Sequence, residues 1–130
     1  MPYKKRLEVF LALICFVAGL YVSGCPTVER VAYTTAVGAK AFTSSVQSNH
    51  PECATATSTL CKNLARAVAA KDTLIDAAEI YCSGPDFLNG GPCQPPSKKT
   101  AAYQIARDKL QAAINAYDQT EKDVKGAMGQ

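Results

Sequence analysis

Tryptophan is absent from this 130-residue chain, histidine occurs once, at His50, and methionine only twice. His50 lies in the turn sequence Asn49-His50-Pro51, with no cysteine or serine partner in a recognisable motif, so the pattern of a nucleophile and its base is missing. No Cys-x-x-Cys occurs, which argues against a thioredoxin-type redox centre, and no Cys-x-x-Cys-His, which rules out covalent haem attachment. Gaps of seven, twenty and ten residues separate Cys53, Cys61, Cys82 and Cys93, and these match no zinc template. No glycine-rich loop opens a helix, since Gly90-Gly91-Pro92 belongs to a turn, so a phosphate cradle is not expected. Long apolar runs are lacking too. The longest, Val9 to Val22, has 14 residues, against the roughly 20 that a spanning helix needs.

What the first 24 residues do contain is ordered. Lys4, Lys5 and Arg6 precede the apolar run, and Ser23-Gly24 ends it with small side chains. A basic start, a short apolar stretch and a small-residue end are the three parts of a secretory signal. Val22-Ser23-Gly24-Cys25 resembles the lipobox of bacterial lipoprotein precursors: an aliphatic residue, two small ones, then cysteine. The resemblance covers Met1 to Cys25 alone, with Val22 standing where many members have leucine. It implies that residues 1–24 are a cleaved signal peptide, that Cys25 carries a diacylglyceryl group, and that residues 25–130 form a lipid-anchored domain at a membrane of the cell envelope. Two or three acyl chains hold a protein stably where one holds it only marginally, at about 0.8 kcal/mol per buried methylene. The residue after the lipid cysteine is Pro26, not the aspartate that the family associates with inner-membrane retention, which leans towards the outer membrane and a periplasmic or external domain.

Residues 25–130 hold 11 basic and 10 acidic residues, a formal charge of +1. No basic patch is left to bind nucleic acid by counterion release. Helix-period apolar residues recur in three stretches, about 28–48, 58–82 and 97–127, and strand-like alternation appears in none. The first carries Val28, Val31, Ala32, Thr35, Ala39, Phe42 and Val46; the second Leu60, Leu64, Ala67, Val68, Leu74, Ile75, Ala78 and Tyr81; the third Tyr103, Ala106, Leu110, Ile114, Tyr117, Val124 and Met128. Pro51 stops the first helix. Residues 83–96, with three glycines and four prolines, form an ordered loop or hinge. Ser97, after Pro95-Pro96, is the expected N-cap of the third helix. The fold expected is all-α: an elongated up-down-up three-helix bundle.

Nineteen alanines in 106 residues make the seams thin, so a domain this small needs reinforcement. Four cysteines in an exported domain read as two disulfides. Cys61 and Cys82 are 21 residues apart on one helix, about 31 Å, whereas bridged Cα atoms lie about 4.4–6.8 Å apart. Pairing Cys53 with Cys82, or Cys61 with Cys93, joins opposite ends of the bundle. Cys53–Cys61 and Cys82–Cys93 is therefore the expected connectivity.

Three candidates for a site follow. Asp72, Asp76 and Glu79 form a row on the second helix, but the row lies off the apolar stripe and reads as a solvated flank. Tyr33 and Val37 are an i,i+4 pair facing away from the first helix's core stripe, and either a partner contact or an idle surface fits them. Phe87-Leu88, in the Gly/Pro loop, reads first as a cap on the bundle end and second as a contact. The expectation is a non-catalytic, membrane-tethered structural or interaction module, without cofactor or metal, whose partner is another envelope protein. The alternative is a carrier holding a small apolar ligand between Tyr81, Tyr103 and Tyr117.

Overall fold

A computed structural model of the chain describes residues 27–129. The signal segment and Cys25 lie outside the described residues. Contacts divide the chain after Val31, so the first unit contributes only Thr27–Val31 here and the second begins at Ala32. In the first unit the Thr27 hydroxyl accepts from the Arg30 N–H at 3.3 Å and Val31 N–H donates to the Thr27 carbonyl at 3.0 Å, which opens a helix.

The described residues form three α-helices and no strand: α1 (Val28–Asn49), α2 (Thr59–Tyr81) and α3 (Ala101–Ala127), with 3-10 turns at Pro51–Ala54 and Pro85–Asn89. The all-α expectation is met. So are both disulfides, Cys53–Cys61 with Cα atoms 4.9 Å apart and Cys82–Cys93 at 4.4 Å. Each ties one end of α2 to its flanking loop.

The third helix starts later than expected, at Ala101 rather than near Ser97. Ser97 instead accepts in a turn, from Thr100 N–H at 2.9 Å, while the Thr100 hydroxyl caps α3 by accepting from Tyr103 N–H at 3.3 Å. Ser58 caps α2 in the same way, accepting from Cys61 N–H at 3.3 Å. At its other end α2 closes with Gly84 N–H donating to the Glu79 carbonyl at 2.8 Å. Ser83 occupies the left-handed position of that closure, with φ 63°. Its hydroxyl donates to the Gln94 carbonyl, so the strained residue also holds the far side of the loop.

The helices alternate in direction. Val46, late in α1, shares a buried cluster with Leu64 and Ala67, early in α2, and with Val124, late in α3. Asn63 Nδ2 donates to the Asp123 carbonyl at 3.3 Å, between the start of α2 and the end of α3. At the other end, the rings of Tyr81 and Tyr103 lie 5.9 Å apart and those of Tyr33 and Phe87 5.7 Å apart. This is the up-down-up order.

The face that α1 buries is built of small side chains. In α1 the buried positions of the second unit are Ala32, Ala36, Ala39, Thr43 and Val46, alternating four and three residues apart. Ala36 and Thr43 take the places expected for Thr35 and Phe42, which are only half-buried. The large buried side chains come from α2 and α3, among them Leu74, Tyr81, Leu110 and Tyr117, while on α1 the larger Phe42 is turned to the flank. Phe42 lies there under the Lys125 ammonium, 5.5 Å from the ring centre. The Thr43 hydroxyl, fully buried, donates to the Ala39 carbonyl at 2.8 Å and so costs little. In α3 the buried set is Ala106, Leu110, Ala113, Ile114, Tyr117 and Val124, with Tyr103 and Met128 half-buried at its ends.

Candidate functional site

The loop between α2 and α3 is shaped by its own chemistry. The Cys82–Cys93 bridge closes it, Gln94 N–H donates to the Cys82 carbonyl at 3.2 Å, and Gly91 N–H donates to the Asp86 carbonyl at 2.7 Å. Gly91 has to be glycine, because a Cβ there would stand 2.7 Å from the Asp86 oxygen. This closure directs Phe87 inward, where it is 9% exposed and meets Tyr33 edge-on. Phe87 is thus a cap on the bundle end and not an exposed contact residue. The Pro85–Asn89 turn turns its ring under the loop, which is why a loop aromatic escapes solvent. Leu88, beside it, is half-buried.

Tyr33 and Val37 do face outward, 37% and 43% exposed. The two candidate features therefore meet: the rings of Tyr33 and Phe87 pack edge-to-face while Tyr33 stays partly exposed, and Val37 lies one turn further along α1. Two further large apolar side chains are exposed more fully, Ile80 at 67% and Ile105 at 55%. Neither belongs to the apolar stripe of its helix. Counting 100° per residue, Ile80 falls about 140° from the centre of α2's buried stripe and Ile105 about 120° from that of α3. A search for large apolar residues outside each stripe finds them. All four belong to the same end of the bundle: the first three turns of α1, the last turn of α2 and the first two turns of α3.

The acidic row does not converge. Asp72 pairs with its neighbour Lys71 at 3.3 Å, Asp76 is exposed and Glu79 half-buried. Among the described residues no three His, Cys, Asp or Glu side chains are grouped to hold a metal ion. His50 Nδ1 lies 3.0 Å from Glu52. The Glu52 carboxyl is held below its usual range by its own backbone N–H and then by His50.

The three tyrosines expected around a ligand are packed. Tyr81 is 0% and Tyr117 2% exposed, and Tyr103 fills the space beside Tyr81. A groove of about 490 Å³ lies instead at the opposite end, between α1's last turn and the first three turns of α2, lined by His50, Pro51, Cys53, Cys61, Leu64 and Val68 among others. No helix among the described residues is long and apolar enough to cross a membrane.

Compared with protein-family models, with curated proteins and with solved structures, the chain finds no match.

Proposed function

We propose that the protein is a small lipoprotein of the bacterial cell envelope, tethered by acyl chains on Cys25, whose helical domain binds another envelope protein and turns nothing over itself. The anchor rests on Val22-Ser23-Gly24-Cys25 at the end of a short apolar run with a basic start. The observation that carries the binding role is the exposure of Tyr33 and Val37 on α1. Ile80 and Ile105 are exposed more fully, but of the four large apolar residues exposed among the described residues Tyr33 and Val37 lie nearest the tether along the chain, 8 and 12 residues after Cys25. A partner embedded in or lying on the same membrane is within their reach.

The test is crosslinking in intact cells, with a photoreactive residue at Val37 of the full-length protein. The expected result is one discrete adduct with an envelope protein, lost when Tyr33 is changed to Ser. Crosslinking confined to lipid, or an adduct indifferent to Tyr33, refutes this face as the binding surface.

The groove at the opposite end supports a second reading, a carrier of a small apolar ligand. Its volume of about 490 Å³ falls within the range of about 300–1,000 Å³ typical of ligand sites. Saturable binding of an apolar fluorescent probe, abolished by Val68→Gln but untouched by Val37→Ser, separates this reading from the first.

A further inference from the structure

The two most exposed large apolar residues described, Ile80 and Ile105, belong to different helices yet to one end of the bundle. The ring contact between Tyr81 and Tyr103, each close in sequence to one of the isoleucines, holds the end of α2 and the start of α3 together. We propose that this end of the bundle rests on the membrane surface, with Ile80 and Ile105 dipping into the boundary between headgroups and acyl chains. The inference rests on the tethered reading above.

The length of chain ahead of the bundle supports it. α1 begins at Val28, three residues after Cys25 and six after the end of the apolar run. At about 3.3–3.6 Å per residue, fully extended chain reaches at most ~11 Å from Cys25 and ~22 Å from Val22. Whether acyl chains or the apolar run itself holds the chain, the first turn of α1 cannot stray far from lipid. Tyr33, eight residues after Cys25, meets Phe87 in the loop between α2 and α3, so that loop and both isoleucines lie at the end of the second unit that follows most closely on the tether along the chain. Ile105 lies four residues into α3 and Ile80 one residue from the end of α2, each within about 6 Å of its helix end at 1.5 Å per residue. Interfacial side chains reach about 5–10 Å into the headgroup boundary.

The loop's charges suit this placement. Lys98 and Lys99, both exposed, stand just before α3, and the one carboxylate between Ser83 and Thr100 is Asp86. Ammonium groups beside inserted apolar residues are matched to lipid phosphates. A second copy of the chain is a poorer fit. Two partly exposed isoleucines offer on the order of 100–200 Å², against the roughly 800 Å² per partner of a stable interface.

The absence of tryptophan makes the test clean. Full-length protein carrying Ile80→Trp or Ile105→Trp has a single reporter, and Ala56→Trp, exposed at the opposite end, is the control. Each is reconstituted into vesicles of phosphatidylethanolamine and phosphatidylglycerol, with and without brominated acyl chains. Circular dichroism checks that each variant folds, and flotation with intact mass checks that it is membrane-bound and in what form. The expected result is blue-shifted emission at positions 80 and 105, quenched by bromolipid several-fold more than at 56. Solvent-like, unquenched emission from floating protein overturns the inference and leaves the tether standing. A blue shift without quenching assigns the end to a contact with protein, such as a second copy, and likewise overturns it. Protein that does not float overturns the tether and this inference with it.

Discussion

Tyr117→Phe tests whether the seam is as tightly closed as its side chains indicate. The Tyr117 side chain is 2% exposed, and its hydroxyl finds no hydrogen-bond partner among the described residues. A buried polar group left unpaired costs about 1–3 kcal/mol, and phenylalanine fills the same ring volume without it. Part of that gain is lost to the small void where the oxygen stood, so a net stabilisation of about 1 kcal/mol is expected. For a domain of about 100 residues this raises Tm by about 4–8 °C. The pH dependence supplies a second readout. Burial, reinforced by Glu121 and Asp118, pushes the Tyr117 phenol well above its ordinary value of 10.0. Above that value the unfolded chain loses a proton that the folded chain keeps. Stability is therefore fully present below pH 10 and falls as pH rises beyond it, by up to about 1.4 kcal/mol per pH unit for this one group. Thermal unfolding followed by circular dichroism, with wild type and variant compared at pH 7 and from pH 9 to 11, measures both effects. Tyr117→Phe should melt higher at pH 7 and lose stability less steeply in alkali. A variant that melts lower by several degrees, with the wild-type alkaline slope intact, shows that the hydroxyl is bonded and the reasoning wrong.

Removing the Cys82–Cys93 bridge by changing both residues to Ala should cost about 3 kcal/mol on the chain-entropy model for a loop of this length, read by urea unfolding, with helicity retained in the folded state. Gly91→Ala should destabilise by about 1–3 kcal/mol because its Cβ meets the Asp86 carbonyl, whereas Gly38→Ala, in mid-helix with open space around it, should stabilise by about 0.5–1 kcal/mol; the same melts compare them. Tyr33→Ser and Val37→Ser should part company: Val37→Ser stays within about 0.5 kcal/mol of wild type, while Tyr33→Ser loses about 0.5–1.5 kcal/mol with its contact to Phe87. Equal effects contradict the division of that pair into a free side chain and one half engaged.

The helical class and both disulfides were legible because they depend on coarse features. The helix period persists over twenty residues, and the 20 residues between Cys61 and Cys82 admit one local pairing at each end. The details that were missed depend on competition between neighbours. Ser97 and Thr100 are both plausible caps, and the turn that follows Pro95-Pro96 takes Ser97, leaving Thr100 to start α3. In α1, the helix period admits Phe42 and Thr35 as readily as Ala36 and Thr43, and it is the smaller neighbours Ala36 and Thr43 that are buried. Phe87 is covered because a bridge and two loop hydrogen bonds turn it inward, which composition does not express. Ile80 and Ile105 do not stand out in the sequence because each lies outside the apolar stripe of its helix, where a single large apolar residue breaks no pattern.

The central claim, tethering through Cys25, is tested most directly by the intact mass of the protein extracted from the membrane fraction of a bacterial host. The expected species begins at Cys25 and carries the added mass of a diacylglyceryl group, with or without a further acyl chain, and Cys25→Ser either releases the domain or leaves it uncleaved. A membrane-fraction mass equal to that of the unmodified 130-residue chain, or to a cleaved product without lipid, contradicts the account.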